Sequence, residues 1–295
     1  MAEILVTGAD GQLGSEIRML AEAGESPFSG TRWYFTDKAE LDITDAEAVR
    51  AFCRERAITH LLNCAAYTAV DRAESDEENA DRINHQAVRI LAELAKERGI
   101  SLVHISTDYV FDGKNYRPYV EEDPTAPQGV YGRTKLAGEQ ALQELAPERS
   151  VILRTSWVYS SFGANFVKTM LRLGREREEL GVIFDQVGTP TYARDLARAI
   201  LEILPRLDNT TPEIYHYSDE GVCSWYDFAL AIFEMADVPC RVRPIETREY
   251  PTPAVRPHYS LLNKAKIKNA FNLEIPHWRE SLGECLGVLA ASEEL

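Results

Sequence analysis

Tyr131 and Lys135, in the segment VYGRTKLAGE, stand four residues apart at the start of a helical pattern. On a helix such residues share a face, so a phenol and an ammonium come side by side. A free tyrosine titrates near pKa ~10 and is a sluggish acid or base at neutral pH. Bringing it to about 7 takes on the order of 4 kcal/mol of preferential stabilisation of the phenolate. A neighbouring ammonium in a partly desolvated cleft acts on that scale. Upstream, VHISTDYVFDG puts Ser106, Thr107 and Asp108 at the C-terminal end of a strand-like run, where ligands bind in open parallel sheets. Together these residues suit proton transfer to a carbonyl oxygen, with Thr107 holding the oxygen and Tyr131 giving the proton. Taken alone, a tyrosine and a lysine one helical turn apart are common on solvated surfaces, and a hydroxyl-rich strand end is equally common.

A second pattern supplies the context. The segment ILVTGADGQLGSEI sets Gly8, Gly11 and Gly14 between a strand and a helix. The GxxGxxG spacing differs from GxGxxG, but the physics is shared: missing β-carbons permit a tight turn, and a helix N-terminus faces a pyrophosphate. A nicotinamide dinucleotide, NADH or NADPH, is the expected cofactor, and Lys135 is expected to reach its nicotinamide ribose. Asp37 ends the second strand, where an acid grips the adenosine ribose hydroxyls and disfavours a 2′-phosphate. Lys38 follows at once and blunts that repulsion, so the expectation leans to NADH without excluding NADPH. Asp42 and Ile43 either flank the adenine or serve as a turn ahead of the next helix.

The elements that must position these residues alternate through the first half. Strand-like runs at Ile4–Val6, Arg32–Thr36, His60–Cys64, Leu102–Ile105 and Val151–Leu153 are separated by helical patterns at Gln12–Ala23, Ala46–Arg56, Arg72–Arg98 and Tyr131–Glu144. Such alternation predicts an α/β fold with a doubly wound parallel sheet of Rossmann type. After about residue 157 the rhythm becomes irregular, with helices expected at Asn165–Arg177 and Trp225–Ala236. The run from Pro244 to Pro257 reads as an extended surface segment. The expected division is a dinucleotide-binding domain over 1–157 and a smaller, mainly substrate-binding domain over 158–295, with late segments returning to the first.

Composition narrows the partners. A length of 295 residues, 45% hydrophobic and 27% charged, fits a globular chain of one or two domains. The net charge of −15 argues against sequence-independent nucleic-acid binding, which needs a basic surface. An anionic substrate would then need positive charge concentrated locally. The five cysteines lack CxxC pairing, so neither zinc nor a disulfide framework is expected. The chain opens directly on EILVTG, without the pattern of an export signal, and no apolar run has the length of a membrane span. A cytoplasmic location without membrane or nucleic-acid partners is therefore expected.

Beyond these single motifs, the chain resembles the extended short-chain dehydrogenase/reductases and, within them, the dTDP-4-dehydrorhamnose reductases. The resemblance runs through LVTGADGQLG, NCAAYTAVDRAESD, STDYVFDG, VYGRTKLAGE, LRTSWVYS, DQVGTP, SWYDFA and RPHYSLLN. It implies reduction of the 4-keto group of dTDP-4-dehydro-L-rhamnose by NAD(P)H, with the proton from Tyr131. By the same match Gly11, Gln12 and Leu13 meet the pyrophosphate, while Asp37, Asp42 and Ile43 surround the adenosine. Ala66, Tyr67 and Thr68 line the cofactor, Thr107 and Asp108 touch the sugar, and Trp157 lies beside the deoxysugar ring. An indole face suits that ring's apolar side, although a core tryptophan is the competing reading. Arg256 is the candidate for the substrate diphosphate, since its planar fork matches phosphate oxygens. Some relatives dimerise through magnesium held by glutamates. Glu16 matches one such position, but Arg194 stands where another glutamate is expected, so no metal and a monomer or weak homodimer are expected. Two alternatives stay open: an epimerase or dehydratase of the same superfamily, and a non-catalytic dinucleotide-binding regulatory subunit. Tyr109, where a dehydratase wants a glutamate, counts against dehydration. Intact Thr107, Tyr131 and Lys135 count against the regulatory subunit.

Overall fold

The computed structural model describes residues 2–25, 27 and 30–292. Its first half is built of β1 (Glu3–Thr7), α1 (Gln12–Glu22), β2 (Arg32–Thr36), α2 (Ala46–Glu55) and β3 (His60–Asn63). There follow α3 (Val70–Ala73), α4 (Glu77–Asp81), a π-helical turn (Arg82–Gln86) and α5 (Ala87–Arg98). Then come β4 (Ser101–Thr107), α6 (Val130–Leu145) and β5 (Ser150–Thr155). The second half holds β6 (Val158–Tyr159), α7 (Phe166–Glu176), β7 (Glu179–Ile183), β8 (Val187–Gly188), β9 (Thr191–Tyr192) and α8 (Ala193–Ile203). It ends with β10 (Glu213–His216), β11 (Cys223–Ser224), α9 (Trp225–Met235), β12 (Arg241–Ile245), α10 (Ala265–Phe271) and α11 (Trp278–Ala291).

Six strands form one parallel sheet in the order β10-β5-β4-β3-β1-β2. The alternation of side chains along each strand divides the core in two. Ile4, Val6, Leu62, Val103 and Val151 face one way, under α1, α8 and α10. Leu5, Leu61, Leu102 and Ile152 face the other, under α2, α5 and α6. Strands buried on both faces read as continuous apolar runs, which is why ILV and LVHI stood out in the sequence. This is the doubly wound fold that the alternation predicts.

The chain beyond residue 157 returns to this sheet three times: α8 packs on α1, β10 pairs with β5, and α10 packs on β10. Between these returns it builds a separate apolar core from α7, β7, α9, β12 and α11, around Phe228, Ile232 and Leu282. Part of the proline-rich run is more regular than expected, because β12, with Pro244 in it, pairs in parallel with β7. The long helical pattern over Arg72–Arg98 is likewise broken, by a turn after Ala73 and by the π-helical turn.

Candidate active site

The first crossover turn is shaped by two glycines. Gly8 has φ +64°, and a Cβ there would lie 2.7 Å from Ala65 Cα on the neighbouring strand end. A Cβ on Gly14 would lie 2.5 Å from Gly8 O and 2.6 Å from Ala9 Cα, so only glycine lets α1 start this close to β1. Gly11 is the N-cap of α1 and carries no side-chain cap, leaving the first-turn N–H groups of the helix to an anion. This cradle fits a dinucleotide pyrophosphate. It opens into a cleft of about 820 Å³ over the C-terminal strand ends, lined there also by Gln12 and Leu13.

Beyond the cradle, Asp37, Lys38, Asp42, Ile43 and Arg82, of which Asp37, Asp42 and Ile43 were expected around the adenosine, line the same cleft. Asp42 Oδ1 accepts from the Thr44 N–H (2.9 Å) and hydroxyl (2.7 Å). Burial pushes this carboxyl up, but the Thr44 hydrogen bonds together with the charges of Lys38 and Arg82 outweigh it and the net shift is downward. Asp42 is thus both a turn residue and part of the wall. Ala66 and Thr68 also line the cleft. Tyr67 does not point there: its hydroxyl donates to Asp76 (2.9 Å), and its ring packs among Ala73, Ala80 and Val130. Its side chain props α6 from behind.

Thr107, Asp108, Tyr131 and Lys135 meet on the cleft floor. The N-terminus of α6 is fixed by a distant carboxylate, Glu74 Oε1, which accepts from the Val130 N–H (2.8 Å). Tyr131 packs edge-on against Tyr109, with ring centroids 5.4 Å apart. Burial pushes the Tyr131 phenol up to about 12, a hydrogen bond with Thr107 pulls it back, and the charge of Asp108 adds to the rise. The phenol thus stands above its ordinary value, opposite to the lowering expected from an ammonium beside it. The lysine is turned elsewhere than the spacing predicts: its Nζ donates to Ile105 O (2.6 Å) beneath the strand end. Burial lowers Lys135 to about 8, with Glu139 opposing. Glu139 in turn is gripped by Arg154 in a fully buried pair (2.7 Å) and by the Ser106 hydroxyl.

The far end of the cleft is assembled by residues distant in sequence. Asp108 Oδ1 accepts from the Thr107 hydroxyl (3.0 Å), while its buried Oδ2 has no partner among the described residues. The Ser260 hydroxyl approaches this carboxyl without closing a hydrogen bond of its own. Burial pushes Asp108 up to about 7 against these polar neighbours. Trp157, in the left-handed region at φ 49°, stacks on Trp225 with centroids 3.6 Å apart, and both line the cleft. Trp157 is thus partly a core residue and partly a wall. Arg256 sits outside the cleft lining, held by Asp71 in a two-pronged pair (2.9 and 2.8 Å).

Glu16, fully buried, accepts from Arg194 Nε (2.9 Å) and from the Ser160 hydroxyl (2.6 Å), so both its oxygens are engaged within the chain. Among the described residues no group of three or more His, Cys, Asp or Glu is arranged to hold a metal, and no helix is long and apolar enough to cross a membrane.

Sequence reasoning passed over Asn84. It lies in the π-helical turn, accepts from Tyr67 N–H (2.8 Å), and donates to Tyr67 O (3.1 Å) and Thr134 Oγ1 (3.2 Å). One amide thereby ties the cleft wall to the helix of Tyr131. An asparagine inside an otherwise helical run was the available signal. Trp225 was also missed as a wall residue, although its capped helix start was visible in SWYDFA.

Residues 1–291 match the family described as RmlD substrate binding domain. The chain is 43% identical to the dTDP-4-dehydrorhamnose reductase of Escherichia coli strain K12 over 296 residues, covering 97% of each chain. It is 41% identical to the spore coat polysaccharide biosynthesis protein SpsK of Bacillus subtilis strain 168 over 287 residues, again 97% of each. The crystal structure of dTDP-4-dehydrorhamnose reductase from Bacillus anthracis in complex with NADP superposes with a TM-score of 0.91 at 39% identity, over 98% of this chain and 100% of that one. The chain belongs to the RmlD substrate binding domain family, among the dTDP-4-dehydrorhamnose reductases.

Proposed function

We propose that this chain reduces the 4-keto group of dTDP-4-dehydro-L-rhamnose to give dTDP-L-rhamnose, using NADPH or NADH. The observation that carries this reading is the meeting of the glycine cradle with Thr107, Tyr131 and Lys135 in one cleft. The reduced nicotinamide, when bound, supplies the hydride to C4. Gly11, Gln12 and Leu13 hold the pyrophosphate on the α1 N-terminus. Asp37, Asp42, Lys38 and Arg82 mix both signs of charge at the adenosine end, which suits either form of the cofactor. Ala66 and Thr68 line the nicotinamide side, and Lys135 binds the ribose hydroxyls.

Thr107 hydrogen-bonds the C4 oxygen, and Tyr131 gives that oxygen its proton as negative charge develops there. Asp108, poised near neutrality, offers an acceptor or a donor to a neighbouring sugar hydroxyl. Trp157, backed by Trp225, presents an indole face to the apolar side of the deoxysugar. Arg256 takes the diphosphate by exchanging Asp71 for phosphate oxygens.

In this reading residues 1–157 serve the cofactor, and 158–295 chiefly the sugar nucleotide. The chain works in the cytoplasm as a monomer or weak homodimer, with Arg194 occupying Glu16. The test is to mix the folded protein with NADPH or NADH and dTDP-4-dehydro-L-rhamnose, follow loss of reduced-nicotinamide absorbance, and identify the product by NMR. Oxidation of cofactor with dTDP-L-rhamnose formed is the expected result. No oxidation with either cofactor overturns the reading, and a C4-epimeric product would correct the face from which the sugar is held.

A further inference from the structure

On the sheet face covered by α2, α5 and α6, Leu5, Leu61 and Leu102 lie in register as an apolar layer. Two residues further along the same strands the layer turns polar. Thr7, Asn63 and His104 are again register partners, and each is at most 1% exposed. Buried polar groups at this depth are costly unless each finds a partner. Here they find one another. The Thr7 hydroxyl donates to Asn63 Oδ1 (2.8 Å), Asn63 Nδ2 lies 3.0 Å from His104 Nδ1, and His104 Nε2 lies 3.5 Å from Lys135 Nζ. The row crosses β1, β3 and β4 and ends on the lysine beneath the cleft floor. Neither the cofactor cradle nor the sugar end requires an imidazole there.

We infer that Thr7, Asn63 and His104 form a reversible hydrogen-bond row that positions Lys135, the direction of the row following the charge of the lysine.

The donor and acceptor inventory forces the coupling. Burial, and then the charge of Lys135, push His104 well below its usual range, so the imidazole is neutral. A charged Lys135 has only donors, so His104 Nε2 must accept and Nδ1 must carry the hydrogen. Nδ1–H then needs the amide oxygen of Asn63, whose NH2 turns to the Thr7 hydroxyl. An uncharged Lys135 accepts instead, and every link reverses: Thr7 O–H to Asn63 Oδ1, Asn63 Nδ2–H to His104 Nδ1, and Nε2–H to the lysine, which is the orientation the Asn63 amide has in this structure. A half-turn of the Asn63 amide and the other imidazole tautomer separate the two orders, with the lysine's proton released to the cleft. Both orders give Asn63 and His104 a partner on each side; they differ in whether the Thr7 hydroxyl donates or accepts. Of the other charged groups, Glu139 on its own helix acts on Lys135 and is itself paired with Arg154 of β5, while Asp108 and Tyr131 share the cleft floor with the lysine.

His104 is accordingly a positioning residue acting through Lys135, an inference that rests on the reductase reading only for its kinetic consequence. The direct test is nitrogen-15 NMR of histidine-labelled wild-type protein across pH. His104, assigned from its contacts to Leu102 and confirmed by loss of its signal in His104→Gln, is expected as the Nδ1–H tautomer at neutral pH. It should change to Nε2–H as Lys135 loses its proton. A single tautomer throughout the folded range overturns the inference, whether or not the protein reduces any sugar. Kinetically, His104→Phe removes an acceptor from the ammonium. The lysine then loses its proton more readily, and the basic limb of kcat/KM moves down by about one pH unit. His104→Gln keeps an acceptor and restores the limb at least in part. An unmoved limb in a folded His104→Phe protein also overturns the inference.

Discussion

The two ends of the cleft are built by different means. The cradle proposed for the pyrophosphate is made of main chain over a few consecutive residues, with Gly8, Gly11 and Gly14 shaping one turn and α1 presenting its N–H groups. The sugar end is made of side chains brought together from far apart. Trp157 leans on Trp225 and Asp108 faces Ser260, while outside the cleft lining Arg256 is clasped by Asp71, a separation of 185 residues. Main-chain recognition of a pyrophosphate needs only local backbone geometry, so it tolerates much change elsewhere. Recognition of one sugar requires convergence of several elements, so it depends on how the second apolar core sits against the sheet. Between the two ends stands Tyr131, the residue to which the proposed function gives the proton transfer.

That separation can be broken experimentally, and the largest effect is expected at its centre. Tyr131→Phe removes the proton donor while keeping the ring against Tyr109, so kcat should fall by about 10²–10⁴-fold. Cofactor affinity, measured by fluorescence titration with NADPH, should stay within about twofold of wild type, because the ring and its packing survive. Near-normal turnover would remove Tyr131 from its role. A smaller effect is expected from Gly14→Ala. Its Cβ meets main-chain atoms at 2.5 and 2.6 Å, which cannot swing aside as a side chain would. Overpacking of that kind costs roughly 1–3 kcal/mol, or about 5- to 150-fold in cofactor dissociation constant. The sugar-nucleotide KM at saturating cofactor should barely move. Equal losses for both ligands would mean that the two ends are not independent.

The same contrast governs how much could be read from the sequence. The apolar runs of β1 to β5 and the spacing of Gly8 to Gly14 are short-range signals, and the sheet with its cradle followed from them. Tyr131 and Lys135 were legible as a pair, but not the direction of the lysine, since one helical turn says nothing of Ile105 O or His104 on a strand beneath. Tyr67 shows the same limit: its place in the chain is beside the cofactor wall, yet its hydroxyl goes to Asp76. The helical pattern over Arg72–Arg98 concealed the π-helical turn because Asn84 is drawn to the main chain of Tyr67, a tertiary demand. Trp225 joins the cleft wall, and Ser260 comes up to Asp108, only once β10 and α8 have carried the chain back to the sheet. Local patterns specify elements, whereas a side-chain site is written in distances that no window spans.

The smallest expected effect tests the sugar end through its charge. Asp71 accepts two hydrogen bonds from the Arg256 guanidinium and one from the Ala254 N–H (3.2 Å), so it both neutralises the arginine and orders the proline-rich segment. The Arg256 hydrogen bonds hold the Asp71 carboxyl below its usual range, and burial opposes them. A diphosphate arriving at Arg256 must compete with that carboxylate. Asp71→Asn keeps the shape and an acceptor for Ala254 but removes the competing charge. The pair is partly exposed, at 26% and 40% for its side chains, so its worth is that of a surface ion pair, about 1 kcal/mol or less. The sugar-nucleotide KM should therefore fall by up to about fivefold in Asp71→Asn at low salt, with kcat unchanged, and the gain should shrink as salt screens it. Arg256→Met should raise KM by a similar factor. If Asp71→Asn instead raises KM at every salt concentration, the clasp serves to order the segment, and Arg256 is a strut of the sugar end without being its anion contact.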